Sequence, residues 1–359
     1  MLPEQRVLDF HGRHVFVGLD VAKQSWKVSI LVGTDQVHRS FTQPPRPEIL
    51  AQYLERNFPG ATYHCAYEAG FSGFWTYEAL TAQGIDCMVV NPADVATTNK
   101  ERQSKTDRID AQKLARELAN GGLRAIYVPH RSAQEDRSLV RLRASFVRKQ
   151  TRSKNQIKAL LEYYGITPED IAGSAERHWS RKYIQWLQEA PFYNPSGRAA
   201  LDALLTELLS LRESIARLTR QIRTLAEQDA YRRRIELLLT VPGVSLLIAM
   251  TFLTELVTID RFDGLDSLAS FVGLVPGERS SGDRQIVTGI TRRQNKVLRA
   301  MLVESAWVAI RHDPALMMAF LRLSSRMPKQ CAIVRIARKL LNRMRTVLTT
   351  QAPYQMRTV

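Results

Sequence analysis

Residues 14–21 read HVFVGLDV, an apolar run that ends in an acid. Beyond it, Trp26, Val28 and Ile30 alternate with Lys27 and Ser29, the two-residue period of a half-buried strand. Gln36 to Thr42 follows the Gly33-Thr34-Asp35 turn as a third strand. The break at Pro44, Pro45 and Pro47 leads into a helix over Glu48 to Asn57. Ala61 to Tyr67 is a further apolar run, again closed by an acid, Glu68. A helix over Phe74 to Gln83 and a strand over Ile85 to Val90, stopped by Asn91-Pro92, precede the helical stretch KTDRIDAQKLARELANGG at 105–122. Three strands, helix, strand, helix, strand, helix predicts an α/β domain of RNase H type, a mixed sheet with helices packed against it.

Asp20 and Glu68 close the first and fourth strands, and ligand sites in α/β sheets collect past strand ends. Asp107 and Asp110 stand three apart at a helix start, so they share a face. Each acid has an ordinary reading too. Two acids in a first turn suit the helix dipole, and strand-end acids accept turn hydrogen bonds or face solvent. Brought into one crevice, four carboxylates would repel one another, and divalent cations relieve that repulsion. Hard oxygen donors without His or Cys favour Mg²⁺ or Mn²⁺ over Zn²⁺. Paired ions about 3.5–4 Å apart clamp the attacking and leaving oxygens of a phosphoryl transfer.

The chain has 359 residues and a formal charge of +16, which points to a polyanionic partner, nucleic acid before membrane. The most apolar stretch, Val244 to Val257, is interrupted by Thr251, Thr254 and Glu255, so no membrane span is expected. The N-terminal residues lack a signal-peptide layout. Cys65, Cys87 and Cys331 are isolated and odd in number, as in a reduced cytoplasmic protein without disulfides. The His spacing offers no zinc motif.

From Arg137 to Lys158 the chain carries Arg137, Arg141, Arg143, Arg148, Lys149, Arg152, Lys154 and Lys158 with no acid among them. Leu139, Leu142, Val147, Ile157, Leu160 and Leu161 give this long basic helix an apolar face. The missing acids favour phosphate contact over a merely solvated face, because surface helices normally mix signs. Trp179, Tyr183 and Trp186 are at helical spacing, suited to core packing or to base stacking. Leu201, Leu204, Leu208, Leu211, Ile215, Leu218, Ile222 and Leu225 then alternate three and four apart, a heptad seam that needs a partner helix. The basic helix folded back, or another protomer, would serve.

Leu237 to Leu256 reads as helix, Pro242-Gly243 turn, helix, resembling a helix-hairpin-helix whose turn could offer N–H groups to phosphate. Ser245 replaces the usual glycine there, so a purely structural hairpin is an equal reading. At 278–284, ERSSGDR is turn chemistry set among Arg279, Arg284, Arg292, Arg293, Lys296 and Arg299. A serine held among cations is placed to attack a phosphate. The last helices are basic and acid-free beyond Asp313.

Three segments, VGLDVAK, YEAGFSGFW and KTDRIDAQKLA, together resemble the RuvC-like N-terminal domain of the DEDD transposases of the insertion-sequence one-ten group. GLVPGERSSG followed by GITRRQNKVLRAMLVESAW is similar to the C-terminal domain of the same family. The resemblance implies catalytic, metal-binding acids at Asp20, Glu68, Asp107 and Asp110, with Mg²⁺ as the metal and Mn²⁺ possible. It implies a nucleophilic serine before the glycine of a Ser-Gly pair, here Ser281-Gly282, with Ser280 adjacent. It also implies a guide (bridge) RNA that pairs with donor and target DNA, a coiled coil used in dimer assembly, and two dimers joining as a tetramer. The active site would be composite, acids from one protomer beside the serine domain of another. Three regions are expected: a catalytic domain over 1–130, a basic-helix and coiled-coil region over 131–232, and a mainly helical, serine-bearing domain over 233–359. Nucleic acid would be held by Lys105 and Arg108, by Arg137, Arg141, Arg148, Lys149, Arg152, Lys154 and Lys158, and by Arg279, Arg284, Arg292, Arg293 and Lys296. Two other functions fit the same residues in part. A junction-resolving nuclease would use the acids and water without a covalent intermediate. A non-catalytic assembly protein would need only the charge and the heptads.

Overall fold

The computed structural model describes residues 9–33, 36–95, 107–167, 179–281, 284–290 and 294–356, which fall into two compact units, Met1–Val128 and Pro129–Val359.

The first unit runs β1 (His14–Val21), β2 (Trp26–Val32), β3 (Gln36–Gln43), α1 (Pro47–Asn57), β4 (Thr62–Glu68), α2 (Trp75–Ala82), β5 (Asp86–Val90) and α3 (Asp107–Ala119). Its sheet has the order β3-β2-β1-β4-β5. The first three strands pair antiparallel, whereas β1, β4 and β5 pair parallel, as their helical crossovers require. This mixed five-strand sheet is consistent with an RNase H-like domain. Val15, Val17 and Leu19 of β1, Cys65 and Tyr67 of β4, and Cys87 and Val89 of β5 share one core with Leu50 and Leu54 of α1 and Leu80 of α2. Strand side chains alternate, so Gly18 and Asp20, Ala66 and Glu68, and Met88 and Val90 belong to the other face. There Val90, Val95 and Leu114 of α3 form a separate small cluster, so α3 covers the second face.

The second unit contains α4 (Arg131–Tyr163), α5 (Arg181–Glu189), α6 (Pro195–Ala226), α7 (Arg232–Leu239), α8 (Leu246–Leu256), α9 (Leu265–Val272), β6 (Pro276–Ser281), β7 (Arg284–Ile290), α10 (Lys296–His312), α11 (Pro314–Ser324) and α12 (Lys329–Thr350). The heptad seam of α6 finds a partner within the chain. Leu201, Leu208, Leu211, Leu218, Ile222 and Leu225 are buried, and Ile157 and Leu161 of α4 join Leu201, Leu205 and Leu208 in one cluster. The pairing is antiparallel: Ser153 Oγ donates to the Leu204 carbonyl at 3.4 Å, and Arg143 Nε donates to Thr219 Oγ1 at 2.7 Å. Each buried Leu or Ile contributes about 1.5–3 kcal/mol, enough to hold a highly basic helix in place. The aromatic trio packs in the same cluster. Tyr183 is buried and stacked on Trp186, and Trp179 meets its edge at 5.4 Å. Tyr183 belongs to the core, and Trp179 and Trp186 pack against it partly buried.

The turn between α7 and α8 packs closely on α10. Gly243 sits at φ +86°, and a Cβ there would meet the Ser305 carbonyl at 2.6 Å and Ala309 Cβ at 2.9 Å. Ser245 caps α8 by accepting from Ile248 N. The β6–β7 hairpin is an addition to the mainly helical domain read from sequence.

Candidate active site and nucleic-acid interface

Gly18 fixes the site. A Cβ at this position would lie 2.0 Å from the Ala111 carbonyl oxygen, 2.6 Å from Ala115 N and 3.0 Å from Leu114 Cβ. The backbone of α3 therefore rests directly on β1, an approach that only a strand glycine under two helix alanines permits. Ala111, Leu114 and Ala115 are buried at that contact. Asp110 immediately precedes Ala111, and Asp107 falls on the same stripe one turn earlier.

Asp20 stands two residues beyond Gly18, on the same face of β1 and half-buried. Glu68 ends the parallel neighbour β4, whose register pairs Leu19 with Tyr67 one step earlier. The two strand-end acids thus share one edge and the face that α3 covers, and Asp110 is half-buried on that helix. Among the described residues, no three His, Cys, Asp or Glu side chains are grouped closely enough to hold a metal ion. For Asp107, Arg108, Arg279, Ser280, Ser281 and Arg284 the description covers the backbone alone. Lys105, Arg292 and Arg293 lie outside the described residues. The donor chemistry suits a hard divalent cation, since the candidates are all carboxylates, two at strand ends of the sheet and two at the start of the helix that covers it.

Sequence reasoning passed over two cations at this edge. Lys27 is the cross-strand partner of Asp20, and its Nζ donates to Thr42 Oγ1 at 2.8 Å. Its place in the alternating run 26–30 was the available signal. Lys23 lies over the ring of Phe71, with Nζ 5.9 Å from the centroid, and Phe71 is 63% exposed. Lys23 closes VGLDVAK, one of the segments that carry the family resemblance, and Lys27 lies on the strand that follows it.

In the second unit, Ser281 is the last residue of β6 and pairs with Arg284, the first of β7; Ser280 pairs with Gln285. The serine pair therefore sits at a hairpin tip, with Gly282 and Asp283 outside the described residues. Past this hairpin, Asn295 caps α10 by accepting from Val297 N and Leu298 N, both at 3.1 Å. Its Nδ2 donates to Glu255 Oε2 at 2.7 Å. Glu255 is 2% exposed and receives Arg141 Nε at 2.6 Å and Nη2 at 2.7 Å. Burial pushes the Glu255 carboxyl up. Hydrogen bonds and charge from Arg141, then Asn295 and Arg137, outweigh that and leave it below its ordinary range. This carboxylate ties α4 and α8 to the start of α10.

Residues 17–166 match the DEDD-type IS110 transposase family, and residues 235–322 match the transposase family IS116/IS110/IS902. The chain is 32% identical over 305 residues to y4qE of Sinorhizobium fredii, described as a transposase, covering 82% of this chain and 72% of that protein. It is 29% identical to the transposase for insertion sequence element IS1111A of Coxiella burnetii, over 68% of this chain and 64% of that one. The chain belongs to the IS110/IS116 family of insertion-sequence transposases. The four acids lie inside the first matched segment and Ser281 inside the second. Among the described residues of this transposase, no helix is long and apolar enough to cross a membrane.

The basic helix of the transposase divides its cations between two tasks. Arg141, expected to hold nucleic acid, and Arg143 of the same run are engaged within the fold by Glu255 and Thr219. Arg137 is half-buried, and burial followed by the nearby Arg141 charge lowers its pKa. Lys154 packs over Trp179 at 5.3 Å. Arg148, Lys149, Arg152 and Lys158 are exposed and form the open basic face of α4; Lys296 is exposed at the start of α10.

Proposed function

We propose that this transposase cuts and rejoins DNA strands with Ser281 as nucleophile and Asp20, Glu68, Asp107 and Asp110 as a Mg²⁺-holding set. The Ser281 hydroxyl gives up its proton as its oxygen attacks a DNA phosphorus, the phosphorus–oxygen bond to the leaving strand breaks, and the leaving oxygen takes up one proton, so that none is gained or lost overall. The strand end stays on the protein as a phosphoserine ester, which the hydroxyl of a second strand attacks to rejoin DNA and release the serine. A Mg²⁺ bound at the four carboxylates supplies polarisation of the phosphate and stabilisation of developing negative charge. Donor and target DNA are the substrates, a guide RNA pairs with both, and dimers assemble into a tetramer. The exposed cations of α4 hold phosphate backbone, which positions nucleic acid without reading its sequence.

One observation carries the metal reading: Gly18 lets α3 lie directly on β1, which brings the helix start that bears Asp107 and Asp110 to the face that Asp20 and Glu68 share. Strand exchange on the junction DNA of the encoding element tests it. Asp20→Asn or Asp110→Asn abolishes exchange with Mg²⁺ while DNA binding survives. Exchange at wild-type rate in either variant sinks the metal role.

A further inference from the structure

We propose that a groove in the second unit holds one unpaired nucleotide of a DNA strand, its base on an apolar floor and its phosphate at Arg335 and Lys339. The groove lies between α9, α12 and the segment that enters β6, and its volume is about 870 Å³. That is the size of sites that enclose small organic ligands. Leu265, Leu274, Val275 and Val334 line the floor. Arg335 and Lys339 stand one turn apart on the exposed face of α12. Among the described residues, no acid lines the groove. Two further cations there are already committed, Arg338 to Asp266 and Arg343 to Asp313. They hold the wall, and Arg335 and Lys339 face outward for a ligand.

An apolar floor under a basic rim suits a ligand with a flat, poorly hydrated face joined to an anion. A nucleotide has both. A paired base keeps its faces stacked on its neighbours, so only an unpaired one can give a face to the floor. The groove reaches Pro276, where β6 begins, and β6 ends at Ser281. Five residues of strand span roughly 17 Å, a length that about five stacked base steps cover. The inference rests on the proposed role of Ser281 only in naming the ligand as the strand that serine would cut.

Cys331 offers a direct test, because it lines the groove and is exposed while Cys65 and Cys87 are buried. The full chain is mixed with an oligodeoxythymidylate carrying one disulfide-activated tether on a central base. The Cys331 thiolate attacks the tether, forms a mixed disulfide and releases the small leaving thiol. Rates are normalised to that of a small neutral activated disulfide, which reports thiol access and an intact fold. Capture of the single strand should run at least tenfold faster than capture of the same strand annealed to its complement, the factor that about 1.4 kcal/mol supplies. Val334→Asp, and Arg335→Ala combined with Lys339→Ala, should each remove that advantage, while Ser281→Ala leaves it intact. An advantage retained with the serine chemistry absent would separate this site from the nucleophile assignment. Equal capture of single strand and duplex, no effect of either groove variant, or equally fast capture of an acidic peptide bearing the same tether would overturn the proposal.

Discussion

Gly18→Ala is the smallest substitution that tests how α3 seats on β1. Its methyl group would enter the helix backbone, where the nearest atoms are a carbonyl oxygen and an amide nitrogen and not a movable side-chain end. Overpacking of this kind costs about 1–3 kcal/mol or more, read as a lowered unfolding midpoint. An unchanged midpoint would mean that the helix does not touch the strand there. Arg141→Ala acts on the other unit. It leaves Glu255 buried beside Asn295 without its bidentate cation, where breaking a fully buried pair costs about 3–5 kcal/mol. Arg141 is itself 52% exposed, so solvent screening reduces the expected loss to about 2 kcal/mol. The pH dependence has a definite sign. Glu255 is held below its ordinary pKa in the fold, so the pair stabilises at neutral pH and loses that contribution as pH falls through the carboxylate range. The Arg141→Ala penalty should therefore shrink below about pH 4. A penalty that grows on acidification contradicts the pairing. None of this was legible in the sequence, where Glu255 reads only as an interruption of an apolar run.

At the scale of elements, the first unit was legible because its strands alternate cleanly and its breaks fall at Pro and Gly. The observed order and sheet match that pattern. The β6–β7 hairpin was not, because 276–290 is short, rich in charge and glycine, and lacks the apolar alternation that marks a strand. The seam of α6 shows a further limit of periodicity, which predicts that a partner exists without saying which one. The structure supplies α4, and Leu208→Ala should cost about 2–5 kcal/mol of stability independent of protein concentration. A loss that disappears as concentration rises would point to a seam between protomers instead. Among the candidate phosphate contacts, the run of cations in α4 read from sequence mixes two populations that spacing could not separate. Arg141 and Arg143 turn inward to Glu255 and Thr219, and Arg148, Lys149, Arg152 and Lys158 remain open.

For the whole molecule, a charge of +16 makes salt the controlling variable in nucleic-acid binding. Replacing one of Arg148, Lys149, Arg152 or Lys158 by Ala should lower the log–log salt slope of DNA binding by about one. Arg143→Ala should leave the slope unchanged. Equal slopes for all of these variants would remove α4 from the interface. If the acids and the serine serve one reaction across protomers, mixing Asp20→Asn and Ser281→Ala proteins should recover strand exchange that neither supports alone. The most direct measurement of the proposed chemistry is a denaturing gel of labelled junction DNA incubated with the protein and Mg²⁺. A Ser281 nucleophile gives a protein-linked DNA species that persists in Ser280→Ala and vanishes in Ser281→Ala. Cleaved DNA without any such species, or the species retained in Ser281→Ala, would contradict it.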